Sequence, residues 1–338
     1  MSPSELLTPI TIGSCRIPNR LFAAPMAGIS DLPFRTILKS YGAGITFSEM
    51  ISTEAFVRGH EKTRGILQRS EGEIPFGIQI FGGNPVAMAE TARRLEAEGL
   101  CDLIDVNLGC PVKKVMRSGA GAALMLDRER LFRVVEGVVQ AVSLPVTAKL
   151  RACRTSDDMM GLDLIPDLFS LGVKAVTVHA RCVSWSFSRP PEWRWIEEAT
   201  SLGRPLIGNG GIFTPEDAVK MVIKTRCDGI MIARGYLGNP WIFRDIQRFI
   251  ETGAWEPVPL EERFDTMKAH LRLSLQVFGE RQGIFRMRKH IAWYVKGLPL
   301  NSEFRRRINE LHDSSELFRE MDRYFERLKK KSLKSEME

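Results

Sequence analysis

No Cys-x-x-Cys pair occurs among Cys15, Cys101, Cys110, Cys153, Cys182 and Cys227, so the ligand spacing of a zinc site is missing. Their scatter gives no disulfide framework either: reduced thiols are the expectation, and five of the six have no evident chemical role. No apolar run approaches the ~18 residues a membrane-spanning helix needs. The opening Met1-Ser2-Pro3-Ser4-Glu5 lacks the basic-then-apolar order of a secretory signal. These absences point to a cytoplasmic chain with no metal and no membrane partner; a monomer is expected. Also missing is a G-x-G-x-x-G turn behind a first strand. Gly42-Ala43-Gly44 runs straight into Ile45-Thr46-Phe47, which argues against a doubly wound dinucleotide-binding sheet.

The chain has 338 residues, 44% hydrophobic and 26% charged, with a formal net charge of +7. At ~150 residues per domain this suggests about two domains, and a core large enough to need no staples. The positive balance weakly favours an anionic partner.

Short β-rich runs recur at Leu21–Ala24, Ile45–Ser48, Phe76–Ile80, Leu103–Asn107, Val146–Leu150, Ala175–His179, Leu206–Gly208 and Gly229–Ala233. Segments of helical periodicity separate them. Asp31, Asn84, Asp127 and Thr214 stand where each of four helices should be capped. Eight apolar strands alternating with helices over about 240 residues predict an α/β fold, a (β/α)₈ TIM barrel. At the C-terminal ends of these strands stand Pro25-Met26-Ala27, Glu49, Gln79, Asn107 with Cys110, Lys149, His179, Asn209-Gly210-Gly211 and Arg234-Gly235. That end of a barrel carries the active site. A lysine and a histidine completing otherwise apolar runs fit chemistry better than mere strand termination.

The loops after the seventh and eighth strands are glycine-rich and each leads to a helix start, at Thr214-Pro215 and Asn239-Pro240. Glycines admit a ligand close to backbone N–H groups, and helix N-termini favour anions. With Arg234 beside them, these loops predict a phosphate site. Cys110 lies on a glycine-rich loop, three residues after Asn107 and just before Lys113, Lys114 and Arg117. A loop thiol among cations is a candidate for reactivity.

After Trp241 strands cease and apolar residues take helical spacing (Phe264, Met267, Leu271, Leu275, Phe278; then Leu317, Met321, Phe325, Leu328). This reads as a barrel over 1–245 and a small all-α domain over 246–338 with a frayed, Lys-rich tail. Residues 281–307 hold eight basic side chains, among them Arg281, Arg286, Lys289 and Arg305, against the single acid Glu303, with Trp293 and Tyr294 interleaved. Such a mixture suits phosphate contact and base stacking.

The series Ala24-Pro25-Met26-Ala27-Gly28, Gln79, Asn107-Leu108-Gly109-Cys110-Pro111, Lys149, His179, Asn209-Gly210-Gly211 and Ala233-Arg234 resembles the tRNA-dihydrouridine synthases, over about residues 7 to 325. The segment 286–299 is most similar to their B-type bacterial branch. The resemblance implies a flavoprotein oxidoreductase of tRNA processing that reduces the C5–C6 bond of a tRNA uridine, with FMN as cofactor and NADPH or NADH as electron donor. It implies that Pro25, Met26 and Ala27 back the flavin ring, and that Gln79 and Lys149 bond its polar edge. His179, Asn209, Gly210, Gly211, Ala233 and Arg234 complete the implied cofactor set. Cys110 becomes the proton donor to C5 after hydride reaches C6, and Asn107, Arg181, Arg286 and Lys289 become substrate-binding residues. A thiol of ordinary pKa ~8.5 is mostly protonated at neutral pH yet close enough to transfer readily. One departure is Cys182, which stands where a threonine is common. Two other functions share parts of the pattern: an FMN barrel acting on a free pyrimidine or related metabolite, and a non-redox RNA-binding barrel.

Overall fold

In the computed structural model, which describes residues 1–60 and 65–337, with side chains in the last helix as far as Lys331, the chain opens with a small hairpin. Its strands β1 (Ile10–Ile12) and β2 (Cys15–Ile17) pair antiparallel, Ile10 opposite Ile17. Then come β3 (Leu21–Ala23), β4 (Thr46–Phe47), the short β5 (Ile51–Ser52), β6 (Phe76–Phe81), β7 (Leu103–Asn107), β8 (Val146–Cys153), β9 (Ala175–Cys182), β10 (Leu206–Asn209) and β11 (Gly229–Ile232). Hydrogen bonding runs β3-β11-β10-β9-β8-β7-β6-β4, every pair parallel, and β5 extends β6. A parallel bridge between Phe22 and Ile45 brings β4 back to β3, so the sheet nearly closes on itself. The expected eight-stranded barrel is therefore present, with every strand at its expected place. Both faces of the strands are covered, which is why Leu103-Ile104-Asp105-Val106-Asn107 is buried throughout.

Several helices begin where short polar side chains satisfy the first free N–H groups. Asp31 accepts from the Phe34 N–H, Asn84 from Val86 and Ala87, Asp127 from Arg130, and Thr214 from Asp217 in a reciprocal capping box. Proline in the first turn of three of them costs nothing, because its missing N–H would have had no helical partner. Each strand thus ends at the same edge of the barrel, followed by a loop and a rigid helix.

The chain divides into two compact units. The first comprises Met1–Gly235 and Ile242–Trp255, the second Tyr236–Trp241 and Glu256–Glu338. The helix Ile242–Thr252 thus stays with the barrel unit, beyond the 245/246 boundary that the change of sequence pattern suggests. The second unit is helical. Leu260–Tyr294 is interrupted at Gly279, whose φ of 72° is outside the helical region, and Asn301–Glu310 and Ser314–Met337 follow. Phe264, Met267, Leu271, Leu317, Met321 and Leu328 are buried, so the apolar stripes are core. Phe264, Phe304 and Tyr324 form its aromatic centre, the last two stacked at 4.2 Å. The last helix runs on to Met337, through the stretch for which the sequence suggests fraying, seated by its apolar stripe.

An ion pair among the described residues lies wholly inside the barrel unit. Arg35 and Glu73, 1% and 0% exposed, meet at 2.6 Å, with Arg35 also donating to the Ser30 and Gln68 carbonyls and Glu73 accepting from Thr46. Removing one partner strands the other charge away from water. Arg35→Met should therefore lower the unfolding free energy by about 3–5 kcal/mol in urea titrations, whereas neutralising the exposed Arg93 of the Arg93–Glu90 pair should change it by less than about 1 kcal/mol.

Candidate active site

A cavity of about 320 Å³ opens at the C-terminal ends of the barrel strands. Pro25, Met26 and Ala27 form one wall, and Gln79, Asn107 and Cys110 another. Lys149, His179 and Arg181 come from β8 and β9, and Asn209, Gly210, Gly211, Ala233 and Arg234 from the seventh and eighth loops. Every site residue expected of the barrel thus lines one space, of a size that suits a small organic ligand. Arg286 and Lys289 belong to the second unit. No group of three or more potential metal ligands occurs among the described residues, and no described helix is long and apolar enough to cross a membrane.

A chain of side-chain hydrogen bonds fixes the loop that carries the thiol. Asp105, buried in the middle of β7, accepts from Thr147 at 2.7 Å and from Gln79 Nε2 at 2.7 Å. Gln79 therefore turns Oε1 to Asn107, which donates to it through Nδ2 at 2.8 Å. Asn107 in turn presents Oδ1 to the backbone N–H groups of Gly109 and Cys110, at 3.2 and 3.0 Å. Gly121 packs under this turn with φ +61°, and a β-carbon there would lie 2.8 Å from the Cys110 carbonyl oxygen. Across the barrel, Lys149 donates to Asn209 Oδ1 at 3.0 Å, and Asn209 Nδ2 donates to the Met231 carbonyl at 2.6 Å.

The cavity is electropositive. Lys149, Arg151, Arg181 and Arg234 line it, and among the described residues no aspartate or glutamate does. Burial pulls the Lys149 ammonium down to about 8, opposed by Asp105, so it remains largely charged at neutral pH. Burial, with Arg234 and Arg151 nearby, lowers Arg181 to about 10. Burial and the surrounding cations hold His179 well below its ordinary value, so its imidazole is neutral and accepts from Arg181 at 3.0 Å. At the far corner Gly210 and Gly211 take φ of 114° and 82°, and a β-carbon on Gly210 would lie 2.9 Å from the His179 ring. Backbone therefore faces the cavity where a side chain could not fit, beside Asn209 and Arg234.

The surroundings of Cys110 differ from those its own loop suggests. Lys113, Lys114 and Arg117 are exposed on the short helix Lys113–Arg117. The cations that act on the thiol come instead from β8, Arg151 and Lys149. Burial outweighs them and a hydrogen bond from the Val112 N–H, so the thiol is pushed above its ordinary value and stays protonated at neutral pH. The expectation of six reduced cysteines is corrected as well. Cys153 and Cys182 form a disulfide, because the pairing of β8 with β9 sets these two residues opposite each other. Cys15, Cys101, Cys110 and Cys227 are free.

Sequence reasoning missed Asp105, Arg151 and Phe187. A charged residue inside a strand buried on both faces is itself a signal, and Asp105 is such a residue. Arg151, 3% exposed, gives the same signal two positions after Lys149, and donates to the Cys182 carbonyl at 2.7 Å. Phe187 sits in a loop without periodicity and left no trace in the pattern.

The chain matches the dihydrouridine synthase family over residues 22–331. It is 37% identical to tRNA-dihydrouridine synthase B of Pectobacterium carotovorum over 94% of this chain and 99% of that protein. It is 36% identical to tRNA-dihydrouridine synthase B of Pseudomonas aeruginosa over 90% of this chain and 92% of that one. Among solved structures, histamine dehydrogenase from Rhizobium sp. 4-9 superimposes with a TM-score of 0.59 at 16% identity, covering 80% of this chain, which spans about half (51%) of that larger one. Morphinone reductase gives a TM-score of 0.53 at 15% identity, over 75% and 91% of the two chains. The two structures share the fold.

The state of the Cys110 thiol is measurable directly. With the thiolate disfavoured by burial, the rate of Cys110 alkylation by iodoacetamide, followed by peptide mass spectrometry, should be slow at neutral pH and still rising past the ordinary thiol pKa of ~8.5. A rate already level at pH 7 would mean a thiolate.

Proposed function

The chain belongs to the dihydrouridine synthase family, and we propose that it reduces the C5–C6 bond of a specific uridine in tRNA with FMN as its flavin and NADPH or NADH as electron donor. The observation that carries this reading is a half-buried thiol, on a loop held by Asn107, at the wall of a cavity lined by four cations and, among the described residues, no carboxylate.

The residues fit FMN. Gly210 and Gly211 at positive φ, with Asn209, Ala233 and Arg234, offer backbone and a cation to a terminal phosphate. Pro25, Met26 and Ala27 would back the ring system, and Gln79, Lys149 and His179 would meet its polar edge. Bound FMN, once reduced, supplies the hydride for uracil C6. Everything else falls to the chain. Hydride arrival at C6 leaves negative charge on C5 and the C4 carbonyl oxygen of the uracil. Cys110 transfers its proton to C5, and the electropositive surroundings stabilise the charge before the proton arrives. Asn107 keeps the thiol loop in place, and Arg181 serves the substrate side. To reach the cavity the target base must leave its stack, a cost of a few kcal/mol offset by contacts with the rest of the RNA.

The barrel unit is thus the FMN-binding catalytic part, and the helical unit the tRNA-binding part. In the latter, Arg281, Arg286, Arg288 and Lys289 share one stretch of helix with Phe285, which is 66% exposed. Tyr294 is fully buried, its hydroxyl near His270, so base stacking passes to Phe285. The protein acts in the cytoplasm, where its substrate is.

Two variants test this reading. Cys110→Ala should slow single-turnover oxidation of the reduced flavin by tRNA roughly 10²–10⁴-fold while flavin content and tRNA affinity are retained; rapid oxidation would remove Cys110 as the acid. Arg234→Glu, placing like charge at the phosphate corner, should yield protein with little bound flavin by its visible absorbance. Full occupancy would move the phosphate elsewhere.

A further inference from the structure

We propose that the loop after β9 carries a second nucleotide subsite, built on Trp185 and Arg189, that holds the RNA nucleotide next to the target uridine. The inference rests on the reading of the cavity as a uridine site. Arg189 places its guanidinium 3.5 Å from the centre of the Trp185 ring, and Trp185 packs on Trp195, itself 4% exposed, at 5.1 Å. The result is a column anchored in the protein at Trp195 whose outer end is a guanidinium plane. Such planes stack bases, and their N–H edges bind phosphate.

The column is fixed rather than mobile in design. The Arg189 N–H bonds the Ser186 carbonyl at 3.3 Å, and its own carbonyl accepts from Arg181 Nε at 2.8 Å. The Glu192 N–H returns to the Ala180 carbonyl at 2.9 Å, and Pro190-Pro191 stiffens the intervening chain. The neighbouring arginines are already neutralised, Arg154 by Asp158 and Arg194 by Glu198. Among the described residues no carboxylate pairs with Arg189.

Phe187, in the same turn, joins the column to the cavity. It is 52% exposed, lines the cavity and stacks on His179. The guanidinium groups of Arg181 and Arg234 lie 5.9 and 4.8 Å from its ring centre. An RNA strand that lowers one base past Phe187 carries its adjoining nucleotide across Arg189. The phosphate of that nucleotide supplies the negative charge that no described carboxylate gives Arg189.

The test uses the flavin-loaded enzyme with Arg189→Ala, Arg189→Lys and Arg189→Glu. Arg189→Ala should weaken tRNA binding roughly tenfold and lower the slope of log affinity against log salt by about 0.7–0.9, one phosphate contact. Arg189→Lys should keep the slope and recover part of the affinity, and Arg189→Glu should be weakest. Flavin content and the rate of flavin reduction by NADPH should not change. Unchanged tRNA affinity and slope in all three variants would overturn the subsite, as would an effect confined to the NADPH step, which would assign the column to the electron donor. If the wild-type flavin is not oxidised by tRNA, the uridine reading itself falls. Wild-type turnover with indifferent Arg189 variants removes the subsite alone.

Discussion

A single buried acid, Asp105, sets the polarity of the wall that carries Cys110. Asp105 takes hydrogen bonds from Thr147 and from the Gln79 amide nitrogen, which leaves the Gln79 carbonyl to face Asn107. Asn107 must then donate with its nitrogen and offer its oxygen to the Gly109 and Cys110 backbone. Reverse any amide in this series and two donors or two acceptors meet in a buried site, at a cost of about 1–3 kcal/mol for each group left unsatisfied. The thiol loop therefore has one low-energy arrangement. An acid and two amides spread over two neighbouring strands act as one positioning unit, so substitutions at Asp105 and Asn107 should not be additive.

The second determinant is charge. Lys149, Arg151, Arg181 and Arg234 face one cavity with no acid among its described lining residues. Gathered this way, cations lose hydration first and then repel one another, which holds Lys149 and Arg181 below their ordinary values. A fold tolerates such a cluster when anions bind there. On the proposed reading, a cofactor phosphate would account for part of the excess, and a phosphodiester with developing charge on the uracil for more. The same surroundings keep His179 neutral. Cys110 remains a thiol for the opposite reason, since burial outweighs the cations beside it.

The disulfide between Cys153 and Cys182 lies at the junction of these two features. It joins the rim ends of β8 and β9 next to the Arg151–Cys182 contact and at the base of the loop that carries Phe187. This is also where the sequence departs from its resemblance. The cross-link, the arginine contact and the backbone bonds of Val183 and Ser184 to Cys153 and Arg154 fasten the start of one loop.

What the sequence determined by itself is what repeats or is local. Apolar runs of strand length, separated by capped helices, gave eight strands at their observed places, because a strand buried on both faces has little choice but to be apolar. The same logic exposed Lys149 and His179, polar residues that end apolar runs at the one barrel edge where loops can build a site. Gly210 and Gly211 were legible as places where backbone approaches the cavity closely, because positive φ is a local demand. Tertiary structure alone decided which groups meet. Cys153 and Cys182 are 29 residues apart and touch only through strand register. The cations governing Cys110 stand on the next strand rather than in its own loop, and Tyr294, aromatic among basic residues, turned inward. Electrostatics and hydrogen bonding act over a few ångströms of space, and separation along the chain does not report that distance.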